Sequence, residues 1–470
     1  MKADYSLIEL RNNTILIALA NIGSKAISFI LAPLYSYYLT TEQFGIMDLI
    51  MTTCGLTVPL ICLDIFESVF RFTKEGTYNH KTVISSSLFF FLAELLLCVF
   101  LVGGYAFFKP LTLPIMVCAL SAILESFYNI IAQYARGQDK ILKFAFSGLL
   151  NSFVLLGLNI VFLVVLNLEL AGWMISFILA KIIIILYLCY TLKIWNDIAI
   201  EHFDAGFIKN ALRFCLPLMP SATMWWIMNA SDRYILSYYW GIAVTGIYAV
   251  ATKLPVILSV FENVFYQAWQ TTALSVLDDN KRDAFYSKVF NHYFRLLSIG
   301  IITVLAFLKP LLVYLFAKEY AEGWICSAIL VLSVMIHALG GNIGILYTVF
   351  KNTNGALKTS FIGAVINIVL NLLFIPKYGM MAAACTTLFA YIVVLVIRWF
   401  DIKGVVNLSF SFKSEYPLVI LTLVQLYFYY IPGTQSYIIR LLIVLFVFFM
   451  YRDMILKIAK LAIHKGKNNA

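Results

Sequence analysis

The sequence predicts an all-α, polytopic membrane protein with about fourteen transmembrane helices, and three observations support this prediction. Hydrophobic residues make up 62% of the 470 positions, and charged residues make up only 12%, whereas a soluble domain carries roughly 25% charged residues. The mean hydropathy is +0.90. Apolar segments of about 20 residues, long enough to cross ~30 Å of hydrocarbon, follow one another along the whole chain.

Charged and turn-rich stretches separate the apolar segments and fix the approximate limits of each span. The predicted spans are 14–38, 44–67, 83–107, 111–134, 144–166, 170–192, 211–236, 242–270, 286–308, 323–349, 359–376, 380–399, 416–431 and 437–455. Because their number is even, both termini are predicted on the same side of the membrane.

The basic residues are distributed unevenly among the connections, and this distribution predicts which side that is. Twenty-five of the 34 basic residues lie at the termini and even-numbered connections. The odd-numbered connections and their edges hold only Lys109, Lys309, Lys318, Lys377 and Arg440. Because short cytoplasmic loops are enriched in Lys and Arg, we expect both termini to be cytoplasmic. The net charge of +10 then reflects topology, and no nucleic-acid partner is indicated.

The chain repeats itself at a nearly constant offset. SYYLTTEQFGI at 36–46 returns as SYYWGIAVTGI at 237–247, 201 positions later. FFKPL at 107–111 returns as FLKPL, and LKFAFSG at 142–148 returns as LKTSFIG at 357–363. Three repeated segments in the same order indicate an internal duplication.

The duplication predicts two six-helix lobes at 1–205 and 206–405, followed by a helix pair and a basic cytoplasmic tail at 406–470. Six spans per lobe make the repeat parallel, an arrangement that transporters use around a central path. The tyrosines of the repeated Ser-Tyr-Tyr segment are typical of the interface between the outer leaflet and water. Gly45 and Gly246 are interpreted as turn glycines where the next helix begins.

Residues 214–269 contain LPLxP, a Trp pair, N-x-SDRY, G-x-Y-x-x-A-x-K and FYQAW in that order. This combination resembles the Wzx-type polysaccharide flippases of the multidrug/oligosaccharidyl-lipid/polysaccharide superfamily. The N-terminal NNTILIALANIGSKAISFILAPLYSYYL is similar to the opening of the same family. The resemblance implies a lipid-linked oligosaccharide substrate, carried on undecaprenyl diphosphate from the cytoplasmic to the outer leaflet for O-antigen or another surface polysaccharide.

Three cations lie within spans where the two repeat copies differ, namely Lys25, Arg233 and Lys253. Centring such a charge in a membrane helix costs ~2.5–3.5 kcal/mol on insertion scales, and a diphosphate needs cationic donors. We therefore expect these cations to bind the diphosphate. The other residues assigned to this cavity are Asn21, Asp48 and Asp232. The alternative is that each cation pairs with a nearby acid (Asp48, Asp232 or Glu262) or extends to an interface.

Glu94, Glu125 and Lys181 are charged residues in the middle of predicted spans of the N-terminal lobe. One interpretation is a buried Glu–Lys cluster that holds helices together. The other is a protonatable site for ion coupling, because intramembrane carboxylates commonly relay protons.

The sequence lacks a catalytic triad pattern, a metal-binding spacing and a phosphate-binding glycine loop, so neither an enzyme nor a cofactor or metal is predicted. Three alternatives to the flippase stay open: a multidrug exporter of the same superfamily, a membrane-embedded glycan polymerase or transferase, and a non-transporting scaffold of a polysaccharide assembly complex. A polymerase and a chain-length regulator are the expected protein partners.

Overall fold

The computed structural model describes residues 2–217, 219–276, 281–350, 352–454 and 456. The basic tail predicted beyond residue 456 lies outside these residues. Sixteen α-helices occur in the described part of the chain. They are α1 Lys2–Tyr38, α2 Thr41–Cys62, α3 Ile65–Glu75, α4 His80–Phe108, α5 Leu113–Gly137, α6 Ile141–Asn159, α7 Glu169–Leu192, α8 Ala205–Cys215, α9 Met219–Trp240, α10 Ile242–Lys253, α11 Val256–Ser275, α12 Arg282–Leu315, α13 Trp324–Val349, α14 Thr353–Asp401, α15 Phe412–Tyr430 and α16 Thr434–Met450.

The all-helical, polytopic membrane fold is confirmed. Every predicted span overlaps a helix. By length and composition, eight helical segments among the described residues could cross a membrane, and α10 and α16 are shorter apolar helices. The eight segments are Thr41–Cys62, His80–Phe108, Leu113–Gly137, Ile141–Val165, Glu169–Leu192, Arg282–Leu315, Lys318–Val349 and Asn354–Gly404.

Backbone breaks change two of the predicted limits, and a third break lies where the sequence predicts it. The second span was predicted to reach residue 67, but Leu63 and Asp64 adopt φ of 49° and 53° and end α2 early. The eighth span divides into α10 and α11 next to Pro255, which cannot donate a helical hydrogen bond. The eleventh and twelfth spans meet at Gly379, whose non-helical φ of 57° and ψ of −138° divide α14 between the predicted limits at residues 376 and 380.

The described residues form two compact units. The first contains Met1–Val250 and Ser360–Ala383. Within it, α3, α5, α7 and α8 enclose a core that includes Val69, Ile130 and Leu188. The second unit contains Ala251–Thr359 and Ala384–Ala470. The division into two six-helix lobes stays a prediction.

In the second unit, buried polar side chains connect the helices. Arg295 of α12 donates to Glu415 of α15 over 2.7 Å, and Glu415 is fully buried. Arg398 of α14 donates to the Gly340 carbonyl of α13 over 2.9 Å and to Thr359 over 3.1 Å. Hydrogen bonds of this kind satisfy groups that an apolar interior would otherwise leave costly.

Candidate substrate-binding site

The two glycines of the repeated Ser-Tyr-Tyr segment pack against each other's helices in the first unit. A Cβ atom added to Gly246 would lie 1.9 Å from the Thr41 carbonyl oxygen and 3.0 Å from the Gly45 nitrogen. A Cβ atom added to Gly45 would lie 2.3 Å from the Ile242 carbonyl oxygen. Only glycine permits such a close backbone approach. We call this contact between the first turns of α2 and α10 the glycine crossing.

An ion-pair cluster lies next to the glycine crossing. Asp48 is three residues beyond Gly45 on α2, and its Oδ2 accepts a hydrogen bond from Arg233 Nε over 2.7 Å. Arg233 Nη1 donates to the Asn229 carbonyl over 2.6 Å and lies 3.6 Å from Asp232 Oδ1. The exposed fractions of the Arg233 and Asp48 side chains are only 14% and 6%. A buried pair of this kind is strongly coupled, because removal of one partner leaves the other charge uncompensated.

Asp232 adds a second carboxylate to the cluster. The Tyr248 hydroxyl of α10 donates to Asp232 Oδ2 over 2.6 Å, and both residues are buried. The cluster therefore joins α2, α9 and α10 through two carboxylates, one guanidinium and one phenol. Such a guanidinium can bind either carboxylate or phosphate in a planar, two-point geometry.

An apolar cavity of about 590 Å³ lies between α2, α4 and α5 and reaches Ile242. Leu49, Ile50 and Ile115 are typical of its lining, and Thr53 adds a hydroxyl. The Thr53 hydroxyl lies 2.6 Å from the hydroxyl of Tyr234, the residue after Arg233. The cavity therefore adjoins the ion-pair cluster and has the chemistry to hold a hydrocarbon chain.

The structure brings Asp48, Asp232 and Arg233 together, whereas Lys25 and Asn21 lie elsewhere on α1. Both are exposed, and no described side chain pairs with the Lys25 ammonium. At 1.5 Å per residue, Lys25 is about 20 Å along α1 from Tyr38, whereas Arg233 is about 10 Å along α9 from Trp240.

Lys253 and Glu262 belong to the second unit. Lys253 is the last residue of α10 and is half-buried. Glu262 Oε1 lies 2.8 Å from the Nδ1 of His337. The assignment of Lys253 to the substrate cavity stays a prediction.

The three charged residues proposed for ion coupling divide into two groups. Lys181 Nζ lies 2.6 Å from Glu125 Oε2 and 4.4 Å from the ring centre of Tyr128. Glu94 is 4% exposed, and its Oε2 accepts a 2.6 Å hydrogen bond from Ser126. These contacts agree with the interpretation that Glu125 and Lys181 hold helices together.

Glu94 differs from Glu125 in burial, because one oxygen of Glu94 is buried without a hydrogen-bond partner among the described residues, whereas the Glu125 side chain is 31% exposed. A void of about 10 Å³ is lined by Glu94, Ser126, Phe91 and Ile61. This volume is close to the minimum that one water molecule requires.

Sequence reasoning missed a polar cluster on α9 and α14. Asn367 Oδ1 lies 3.1 Å from Ser231 Oγ and accepts a hydrogen bond from Asn371 Nδ2 over 3.0 Å. Both asparagines are fully buried. Their spacing of four residues places them on one helix face, and this spacing is the feature of the sequence that could have predicted the cluster. In the described part of the chain, no group of three or more His, Cys, Asp or Glu residues could hold a metal ion.

Comparison with known proteins identifies the family of this chain. Residues 10–270 match the family model described as "Polysaccharide biosynthesis protein". The capsular polysaccharide biosynthesis protein CapF of Staphylococcus aureus is 25% identical over 219 residues, which are 46% of this chain and 54% of CapF. An uncharacterized membrane protein of Methanocaldococcus jannaschii is 26% identical over 243 residues, 48% of this chain and 46% of that protein. The chain thus spans about half the length of these curated relatives.

Two solved structures share the fold. The lipid II flippase MurJ in an inward closed conformation gives a TM-score of 0.67 at 15% identity, covering 94% of this chain and 100% of that chain. An inward-facing multidrug resistance MATE family transporter of the MOP superfamily gives 0.62 at 14% identity, covering 84% and 94%. At these identities the likeness establishes the fold alone.

Proposed function

Because the chain belongs to the polysaccharide biosynthesis protein family, we propose that it is a flippase for undecaprenyl-diphosphate-linked oligosaccharides. It moves repeat units from the cytoplasmic to the outer leaflet by alternating access, and it acts as a transporter rather than an enzyme. The observation that carries this proposal is the buried Arg233–Asp48 pair beside the glycine crossing. The Arg233 guanidinium is a group that can bind phosphate, and its ion pair with Asp48 connects α9 to α2 next to the close contact of α2 with α10.

In the proposed mechanism, the substrate diphosphate replaces Asp48 as the partner of Arg233. Asp48 belongs to α2 and Arg233 to α9, so this exchange removes the ion pair that ties the two helices together. A ligand shifts a conformational equilibrium only through different affinity for the two states, and the exchange supplies that difference. Lys25 and Asn21 are exposed and contact the head group first. Lys253 is the third proposed cation, after Lys25 and Arg233.

The lipid tail and the membrane potential complete the proposal. The apolar cavity of about 590 Å³ suits part of the prenyl chain. Moving about two negative charges toward a positive outer side gains roughly 4–5 kcal/mol at 100 mV, from ~2.3 kcal/mol per charge. Export would then need no ATP, for which the sequence has no binding motif.

Neutralising Lys25 tests the proposed function. In proteoliposomes loaded with the lipid-linked oligosaccharide, Lys25→Gln should slow the appearance of sugar accessible to an added lectin by tenfold or more, because a charged hydrogen bond to the diphosphate is lost. Lys109→Gln is the matched control, since Lys109 is an exposed lysine at the end of α4. A wild-type rate for Lys25→Gln, or equal loss in both variants, would contradict the proposal.

The location and protein partners belong to the same proposal. We place the chain in the bacterial inner membrane, with both termini cytoplasmic, beside a polysaccharide polymerase and a chain-length regulator. The product is O-antigen of lipopolysaccharide or another surface polysaccharide. Reporter fusions at both termini test the orientation, and an inactive cytoplasmic reporter at either end would refute it.

Glu94 provides a test of proton coupling within this function. Glu94→Gln keeps an oxygen for the Ser126 hydrogen bond but cannot release a proton. We expect this variant to fold as the wild type does and to lose the acceleration that an imposed proton gradient gives. Lys181→Met serves as a comparison, because it breaks a buried ion pair and should lower stability instead. A wild-type rate that does not respond to the gradient would remove proton coupling.

One observation favours the multidrug-exporter alternative, namely that the Arg233 cluster holds two carboxylates for one guanidinium. An exporter of cationic compounds uses such acids to bind its cargo. It predicts that cells expressing the protein extrude a cationic dye and that Asp48→Asn stops the extrusion, whereas the flippase proposal predicts no dye export.

A further inference from the structure

A polar cavity of about 460 Å³ lies at the C-terminal ends of α3 and α5. It is formed by the α3–α4 turn and the α5–α6 turn. Gly76 has a φ of 67° and ends α3, and Asp139 has a φ of 60° in the second turn. Gly137 brings the two helices together, because a Cβ atom added there would lie 2.6 Å from Thr73 Cβ. The cavity is therefore built from two tightly packed, sharply turned segments.

Two buried polar atoms in this cavity lining have no hydrogen-bond partner among the described residues. They are the Thr73 hydroxyl oxygen and the Gln138 side-chain oxygen. Thr73 is 98% buried, with an exposed fraction of only 2%. Unsatisfied buried polar groups are costly. A ligand with several acceptor oxygens would satisfy the Thr73 hydroxyl, and the Gln138 amide can turn its NH₂ group toward the same ligand.

Positive charge exceeds negative charge in the same lining. Lys74, His80 and Lys140 line the cavity, with Asp139 as the acid. Asp139 pairs with Lys74, and no described side chain pairs with Lys140. Burial, together with the nearby Lys143, lowers the pKa of Lys140, and the Asp197 carboxylate only partly opposes this shift. A bound anion would offset both the burial of the Lys140 ammonium and its repulsion by Lys143.

We propose that this cavity is a phosphate-binding site, separate from the Arg233 cluster. Thr73 and Lys140 are its principal donors, with Lys74 and His80 at the rim. A phosphate group has the multiple acceptor oxygens and the negative charge that these residues match. The phosphate comes either from an anionic phospholipid head group or from a free phosphate ion. This site does not depend on the proposed transport activity.

Two variants and one control test the site. Inorganic phosphate is titrated by calorimetry into the purified full-length protein in neutral detergent at constant ionic strength. Lys140→Gln and Thr73→Val should each weaken binding about tenfold, since each removes a donor to an anion. Thr73→Val keeps the side-chain shape beside Gly137. Lys81→Gln is the matched control, because Lys81 is an exposed lysine one residue after His80 and does not line the cavity.

A second measurement distinguishes the two sources of phosphate. The same proteins are placed in phosphatidylcholine nanodiscs with and without phosphatidylglycerol, and their thermal unfolding midpoints are compared. Stabilisation by phosphatidylglycerol that Lys140→Gln and Thr73→Val remove, without phosphate binding in detergent, assigns the site to a lipid head group. Absence of both effects, or equal losses with Lys81→Gln, would overturn the proposal.

Discussion

Replacing Gly246 with alanine is expected to lower the unfolding midpoint of the protein and to abolish the polysaccharide production that the proposed function assigns to it. The added Cβ atom would lie 1.9 Å from the Thr41 carbonyl oxygen, a distance that backbone atoms cannot relieve without separating α2 from α10. Overpacking in a well-packed interior costs about 1–3 kcal/mol. In addition, separation of these helices would strain the Arg233–Asp48 pair beside them.

The matched control for this substitution is Gly157→Ala. Gly157 lies within α6, and a Cβ atom added there would meet no atom within 4 Å. Alanine also favours a helix by ~1 kcal/mol over glycine, so this variant should be as stable as the wild type or more so. Gly45→Ala should reproduce the Gly246→Ala defect, since its Cβ atom would lie 2.3 Å from the Ile242 carbonyl oxygen. Normal stability and production in Gly246→Ala would refute a close glycine crossing.

Replacing Arg233 with glutamine is expected to cause the second large defect. The change leaves Asp48 and Asp232 buried without their cation, and breaking a buried pair by removing one partner costs about 3–5 kcal/mol. The double variant Asp48→Asn/Arg233→Gln removes both the guanidinium and one of the carboxylates. Its unfolding midpoint should therefore lie well above that of Arg233→Gln, in a double-mutant cycle measured by thermal unfolding.

The same cycle separates a structural role of Arg233 from a role in substrate binding. If Arg233 binds the diphosphate, the double variant recovers stability but not transport. Asp48→Asn/Arg233→Lys is the control that retains a cation at position 233 with an uncharged partner. Full transport by the glutamine double variant would show that Arg233 only holds α2 and α9 together.

Much of the fold could be predicted from the sequence because a membrane restricts the backbone to long apolar helices. The positions of the membrane spans could therefore be predicted from the apolar segments. The predicted limit of the second span was wrong where single residues change the backbone direction, at Leu63 and Asp64. No pattern of hydrophobicity encodes a left-handed leucine, because that conformation depends on the packing around it.

The candidate site was only partly predictable. The cost of burying charge identified Arg233, and its pairing with Asp48 was foreseen as one alternative. The sequence could not indicate that Gly45 and Gly246 would meet, because a repeat shows which positions correspond and not which ones touch. Thr73 and Gln138 were missed for a related reason, since an unsatisfied hydrogen bond becomes visible only when neighbouring groups are in place.

The glycine crossing also has an evolutionary consequence. Gly45 and Gly246 are equivalent positions of the two repeats, yet each fits only because of backbone contributed by the other copy's segment. A side chain larger than hydrogen at either position would clash with the backbone of the other segment. Lys25 and its repeat equivalent Trp226, in contrast, differ. If the predicted duplication occurred, a single backbone contact is enough to explain why both repeats still have glycine at this position.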